Sequence, residues 1–138
     1  MMKKEREVIE TLKEAVGEDH FIRVAYDVVD RIKESKTPFY FVEPILQLME
    51  ECPEADFGQP GPLTHFLETF YKNGYEERLV QSVKRKPTLH TVWLMNRIMN
   101  DPKLVNKDSY LDLLMEIRTR NTIDKAIKDR IALFLGDQ

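Results

Sequence analysis

Glycine is scarce in this chain: there are five in 138 residues, and none stands in GxGxxG or GxxxxGK[ST] order. Those loops need backbone that approaches a phosphate closely, which glycine allows, so nucleotide binding in either mode is not expected. Cysteine is scarcer still. The single Cys52 cannot close an internal disulfide, and it sits near Leu48, Met49 and Pro53 with Glu50 and Glu51 as acidic neighbours. That setting suits a small buried side chain in a reducing compartment, whereas a reactive thiolate needs a positive field. No apolar run approaches the ~18 residues of a membrane span, and the N-terminal "MMKKEREVIETLKEAVG" lacks the apolar core of a signal peptide. A cytoplasmic location without a membrane partner follows as the expectation.

Metal-binding patterns are also missing. The three histidines, His20, His65 and His90, form no HExxH, no zinc-finger spacing and no repeated ExxH, and there is no EF-hand order. No metal and no cofactor are expected. Alternating apolar and polar runs of the β type are nearly absent, which points to an all-α fold.

What is present is helical periodicity. In "EREVIETLKEAVG", Val8, Ile9, Leu12, Ala15 and Val16 recur at three and four, and Gly17 stops the helix. Asp19 is placed to cap the next helix, which turns Phe21, Val24, Ala25, Val28 and Ile32 one way. The third helix runs through "FYFVEPILQLMEEC" and begins near Glu43, because Pro44 is tolerated only in a first turn. After the loop "PEADFGQPGP" come "PLTHFLETFYKN", "YEERLVQSVKR", "TLHTVWLMNRIMN", "SYLDLLMEIRTR" and "TIDKAIKDRIALFL". About eight short antiparallel helices in a single domain spanning 1–138 are expected, as a helical-hairpin (HEAT-like) stack or a compact helical bundle. The helix from Leu89 is apolar on nearly all sides, so Asn96 and Arg97 within it are expected to be buried and hydrogen-bonded.

Charge is distributed unevenly. The net charge of -3 hides a middle block, residues 37–71, that has Glu43, Glu50, Glu51, Glu54, Asp56 and Glu68 and no Lys or Arg. Residues 72–138 hold thirteen basic against nine acidic side chains, a balance of +4. A field of this kind steers an oppositely charged partner. The one basic run, "VKRKP" at 83–87, has no interleaved aromatics and falls at a helix C-terminus, where cations suit the macrodipole, so nucleic-acid binding is not expected.

Catalytic patterns are thin. His65 and Glu68, three apart on one helix, could orient an imidazole for general-base chemistry in a small hydrolase, but such pairs are common on any helix. Glu50-Glu51 and Glu76-Glu77 are adjacent pairs, which point about 100° apart and do not converge. No catalytic residue is assigned. The candidate contact surface for a basic protein partner is Glu43, Glu50, Glu51, Glu54, Asp56, Phe57, His65 and Glu68, with Phe57 as the aromatic of the loop. A helical scaffold or adaptor that self-associates through an apolar face is the alternative.

"PGPLTHFLETF" followed by "YEERLVQSVKRKPTLHTVWLMNRIMND" resembles the central segment of small all-helical immunity proteins from bacterial polymorphic-toxin and contact-dependent inhibition systems. The resemblance covers about Phe41 to Asp101. It implies a stoichiometric inhibitor without enzymatic activity that occludes a toxin domain, often a nuclease, in the cytoplasm. An acidic surface fits that expectation, because nucleases are basic where they grip phosphates.

Overall fold

In a computed structural model the described residues are 3–136. They form eight α-helices and one 3-10 turn, with no strand among them. The helices are α1 Lys3–Ala15, α2 Phe21–Lys33, α3 Val42–Glu51, α4 Gly61–Glu68, α5 Tyr75–Arg85, α6 Leu89–Met99, α7 Lys107–Arg118 and α8 Lys125–Phe134. The all-α expectation holds. The chain divides into two compact units, Met1–Arg78 and Leu79–Gln138.

In the first unit, α1 packs on α2, α2 on α4, and α1 against α3. The spacing of apolar residues explains which faces meet. Val8, Ile9, Leu12 and Ala15 of α1 are buried, as are Phe21, Ala25, Val28, Val29 and Ile32 of α2. Each of the larger side chains contributes about 1.5–3 kcal/mol by leaving water. The N-cap of α2 is His20 and makes no side-chain bond, so Asp19 does not cap this helix.

The 3-10 turn Pro38–Phe41 leads into α3, where Pro44 falls in the first turn and leaves no internal hydrogen bond unmade. Val42, Ile45, Leu46, Leu48, Met49 and Glu50 of α3 are all buried. The strip holding Glu43, Gln47 and Glu51, spaced by four, faces outward. The helix α4 ends at Glu68, five residues before the sequence pattern suggests. There the Thr69 hydroxyl donates to the Phe66 carbonyl at 2.6 Å, and Lys72 takes φ of 67°, a left-handed conformation that no helix continues.

In the second unit α6, α7 and α8 pack against one another. The N-terminus of α6 is a buried reciprocal cap: Thr91 N–H donates to Thr88 Oγ1 at 3.0 Å, and Thr88 N–H donates to Thr91 Oγ1 at 3.1 Å. Two orphan donors are thereby satisfied where water does not reach. Val92, Leu94, Met95, Ile98 and Met99 form the buried face of α6. Contrary to expectation, Asn96 and Arg97 are only half-buried. The Arg97 guanidinium lies over the Trp93 ring, 5.1 Å from its centroid, and His90 stands 5.3 Å from the same ring. The outer edge of α6 is thus a half-exposed row of His90, Trp93 and Arg97, with cation–π attraction between Arg97 and Trp93.

Candidate protein-binding surface

The loop between α3 and α4 is ordered by its own short hydrogen bonds. Ala55 N–H donates to the Cys52 carbonyl at 3.1 Å, and Gly58 N–H donates to Asp56 Oδ1 at 2.8 Å. The second bond closes an Asx turn, which holds the Asp56 carboxylate at the surface. Gly58 has φ of 90°, and a Cβ there would stand 2.7 Å from the Gly61 Cα, so the turn requires glycine.

Between these residues the side chain of Phe57 goes inward. It is buried and meets the Phe21 ring edge-on, with centroids 5.9 Å apart. Phe57 therefore anchors the loop to the start of α2 and is no contact residue. Glu50, expected at the contact surface, is likewise buried, on α3 four residues after the buried Leu46. Thr64 of α4 is fully buried too.

The remaining acidic residues have distinct surroundings. Glu54 and Asp56 are exposed. Glu51 is exposed and lies 3.5 Å from Lys13 Nζ of α1. Glu43 is half-buried, accepts from Gln47 Nε2 at 3.4 Å and lies 3.9 Å from Arg78 Nη1. The middle block, free of Lys and Arg along the chain, is thus partly compensated in space by cations from α1 and α5. Ion pairs this exposed contribute about 0–1 kcal/mol, so they orient the carboxylates more than they stabilise the fold.

His65 is exposed and Glu68 is half-buried, both on α4. Clefts open on the first unit beside α1, and the two described next are not lined by these two residues. The larger, about 740 Å³, lies between α1, the end of α2 and the 3-10 turn, with Val8, Ile32 and Phe41 as floor and Glu5, Arg31 and Glu34 among its rim. The smaller, about 230 Å³, lies between α1 and α3 beside Lys13 and Glu51. Among the described residues no group of three or more His, Cys, Asp or Glu stands close enough to hold a metal ion, and no helix is long and apolar enough to cross a membrane.

Two surface residues lie outside the set expected from the sequence. Ile22 and Tyr26 of α2 are 38% and 54% exposed. The signal was legible, since at 100° per residue both fall off the edge of the buried stripe of α2. In the second unit Val105, Met115 and Leu133 are exposed apolar side chains, and Lys84, Arg85 and Lys86 are exposed at the end of α5. Comparison with protein-family models, with curated proteins and with solved structures finds no match, so the likeness to immunity proteins rests on the residues quoted above.

Proposed function

We propose that this chain is a non-enzymatic protein-binding module, a cytoplasmic immunity protein that occludes a basic toxin domain, of nuclease type, through the acidic surface of its first unit. The observation that supports this reading is the exposure of Glu51, Glu54 and Asp56 at the end of α3 and in the Asx turn after it. Glu51 ends α3, and Glu54 and Asp56 sit on the loop held by the buried Phe57, so they are presented in a set geometry. A rigid acidic edge accelerates association with a basic partner and lowers the ordering cost of binding.

The test is co-expression with the toxin domain encoded by the adjoining gene, followed by copurification and a growth assay. Rescue of growth and a stable complex are the expected results; neither rescue nor complex would end the proposal. Replacing Glu51 and Glu54 with Lys should slow association at low salt, and unchanged rates would remove the electrostatic part.

A second reading, a self-associating scaffold, is favoured by the exposed Val105, Met115 and Leu133 of the second unit. Light scattering at high protein concentration decides it, since a monomer there excludes self-association.

A further inference from the structure

We infer that the basic tip of α5, Lys84 to Lys86, docks on the acidic edge at Glu54 and Asp56 of a second copy of this chain, so that copies join head to tail. The two compact units carry opposite charge. Residues 1–78 hold seventeen Asp and Glu against ten Lys and Arg, whereas residues 79–138 hold eleven Lys and Arg against seven Asp and Glu. The imbalance has a focus in each unit: residues 37–71 contain no Lys or Arg, and residues 79–100 contain no Asp or Glu.

In the first unit Glu54 and Asp56 are exposed, and among the described residues neither is ion-paired; Asp56 accepts only from Gly58 N–H. Of the cations around this edge, Lys13 is shared between Glu10 and Glu51, and Arg23 is exposed next to Ile22 on α2. In the second unit Lys84, Arg85 and Lys86 are all exposed. Successive residues of a helix point about 100° apart, so the three fan around the tip of α5. The side chains of Lys84 and Lys86 are in no ion pair among the described residues. Glu116 is brought to this tip by Arg120, whose fork occupies its carboxylate.

Charge complementarity defines the occupant. A second copy brings an acidic edge at equal concentration, on a loop fixed by the buried Phe57. The contact is heterologous, so each joined copy keeps one patch open for another. A nucleic acid suits the tip less well, because it needs aromatic faces for base stacking. Among the described residues of 79–138 no aromatic side chain is exposed: Tyr110 is buried, Trp93 and Phe134 are half-buried, and Arg97 already lies over the Trp93 ring. A copy whose edge is covered by a neighbour's tip cannot offer it to a basic toxin, so the two contacts compete.

Sedimentation velocity of the full chain at high protein concentration tests this. Exposed ion pairs are individually weak and screened by salt. The association constant should therefore fall at least about tenfold between ~0.01 and ~0.15 M salt, as the Debye length shortens from about 30 to about 8 Å. The tip variant, Lys84→Glu with Lys86→Glu, and the edge variant, Glu54→Lys with Asp56→Asn, should each be monomeric at low salt. Mixed in equal amounts they should pair and stop at two chains, because one intact tip then meets one intact edge. Lys84→Gln with Lys86→Gln should weaken association without reversing charge.

A wild-type chain that is monomeric at low salt overturns the head-to-tail contact. Association indifferent to salt, or retained in either reversed variant, also overturns it and points to the apolar surface of the second unit. Absence of a pair in the mixture of variants, or loss of association after nuclease treatment, does the same. Toxin copurification with the tip variant, whose acidic edge is intact, decides the immunity reading separately.

Discussion

Arg120 joins two helices of the second unit: its Nη1 donates to the Lys84 carbonyl at 3.0 Å, while Nε and Nη2 hold the Glu116 carboxylate at 2.8 and 2.7 Å. The planar guanidinium makes this possible, because one fork grips the carboxylate and the third nitrogen remains for a carbonyl. The carbonyl lies in the last turn of α5, where helix geometry leaves such groups without an internal partner.

Arg120→Lys should therefore destabilise the protein by about 1 kcal/mol, since an ammonium cannot serve both partners at once. Glu116→Gln, which leaves the Lys84 contact available, should cost less. Denaturant unfolding of the two variants beside the wild type measures the order, and a larger loss in Glu116→Gln would contradict it.

The same pair gives a pH dependence of known sign. Hydrogen bonding to Arg120 holds the Glu116 carboxyl below its ordinary value of 4.5 and raises the guanidinium, which stays charged throughout. A carboxylate depressed in the folded state binds fewer protons there than in the unfolded chain, so its contribution is complete above the ordinary value and lost as pH falls through the folded one. The stability difference between wild type and Glu116→Gln should thus be constant near neutrality and shrink in acid. A difference that grows on acidification would show that the pair does not carry it.

Gly58 and Gly17 share left-handed backbone, but only Gly58 is crowded, with the Gly61 Cα 2.7 Å from where a Cβ would stand. Gly17→Ala should cost about 1 kcal/mol, the conformational penalty alone. Gly58→Ala should cost at least about 2 kcal/mol, because the backbone of the turn must also move. Thermal unfolding of both variants checks the difference, and equal losses would mean that the loop relaxes freely.

The reciprocal cap of α6 predicts that Thr88→Ala costs about 1–2 kcal/mol, as both hydroxyls are buried and each serves a backbone donor. Thr88→Ser should retain most of that stability. A double-mutant cycle with Thr91→Ala should show strong coupling, and additive losses would argue against reciprocity.

Within the acidic block, burial separates folding from binding. Glu50→Lys should destabilise by about 3 kcal/mol or more, since it places an ammonium on the buried flank of α3. Glu54→Lys should change stability by no more than about 0.5 kcal/mol while slowing association with a basic partner. Chemical unfolding together with stopped-flow binding distinguishes the two, and similar stability losses would remove the distinction.

Much of the fold was legible from residue spacing. The stripes of α1 and α2, the first-turn place of Pro44 and the start of α6 at Thr88 follow from three-and-four periodicity and from what proline and threonine do to a backbone. The end of α4 was not legible, because "ETFYKN" continues the apolar pattern while the left-handed Lys72 breaks the helix. The candidate surface was legible only in part. Glu54 and Asp56 were recognisable as loop carboxylates, but Phe57 reads as an exposed loop aromatic until Phe21 is known to lie beneath it.

By itself, then, the sequence determined the all-α class, most helix starts and the uneven charge along the chain, because each arises within a few residues of backbone. Tertiary structure alone decided that Glu50 and Phe57 are buried, that Lys13 reaches Glu51, and that Ile22 borders the acidic loop. Those outcomes depend on which faces pack together across long separations in the chain. Helical periodicity marks a face as apolar, but it does not say which other element will cover it.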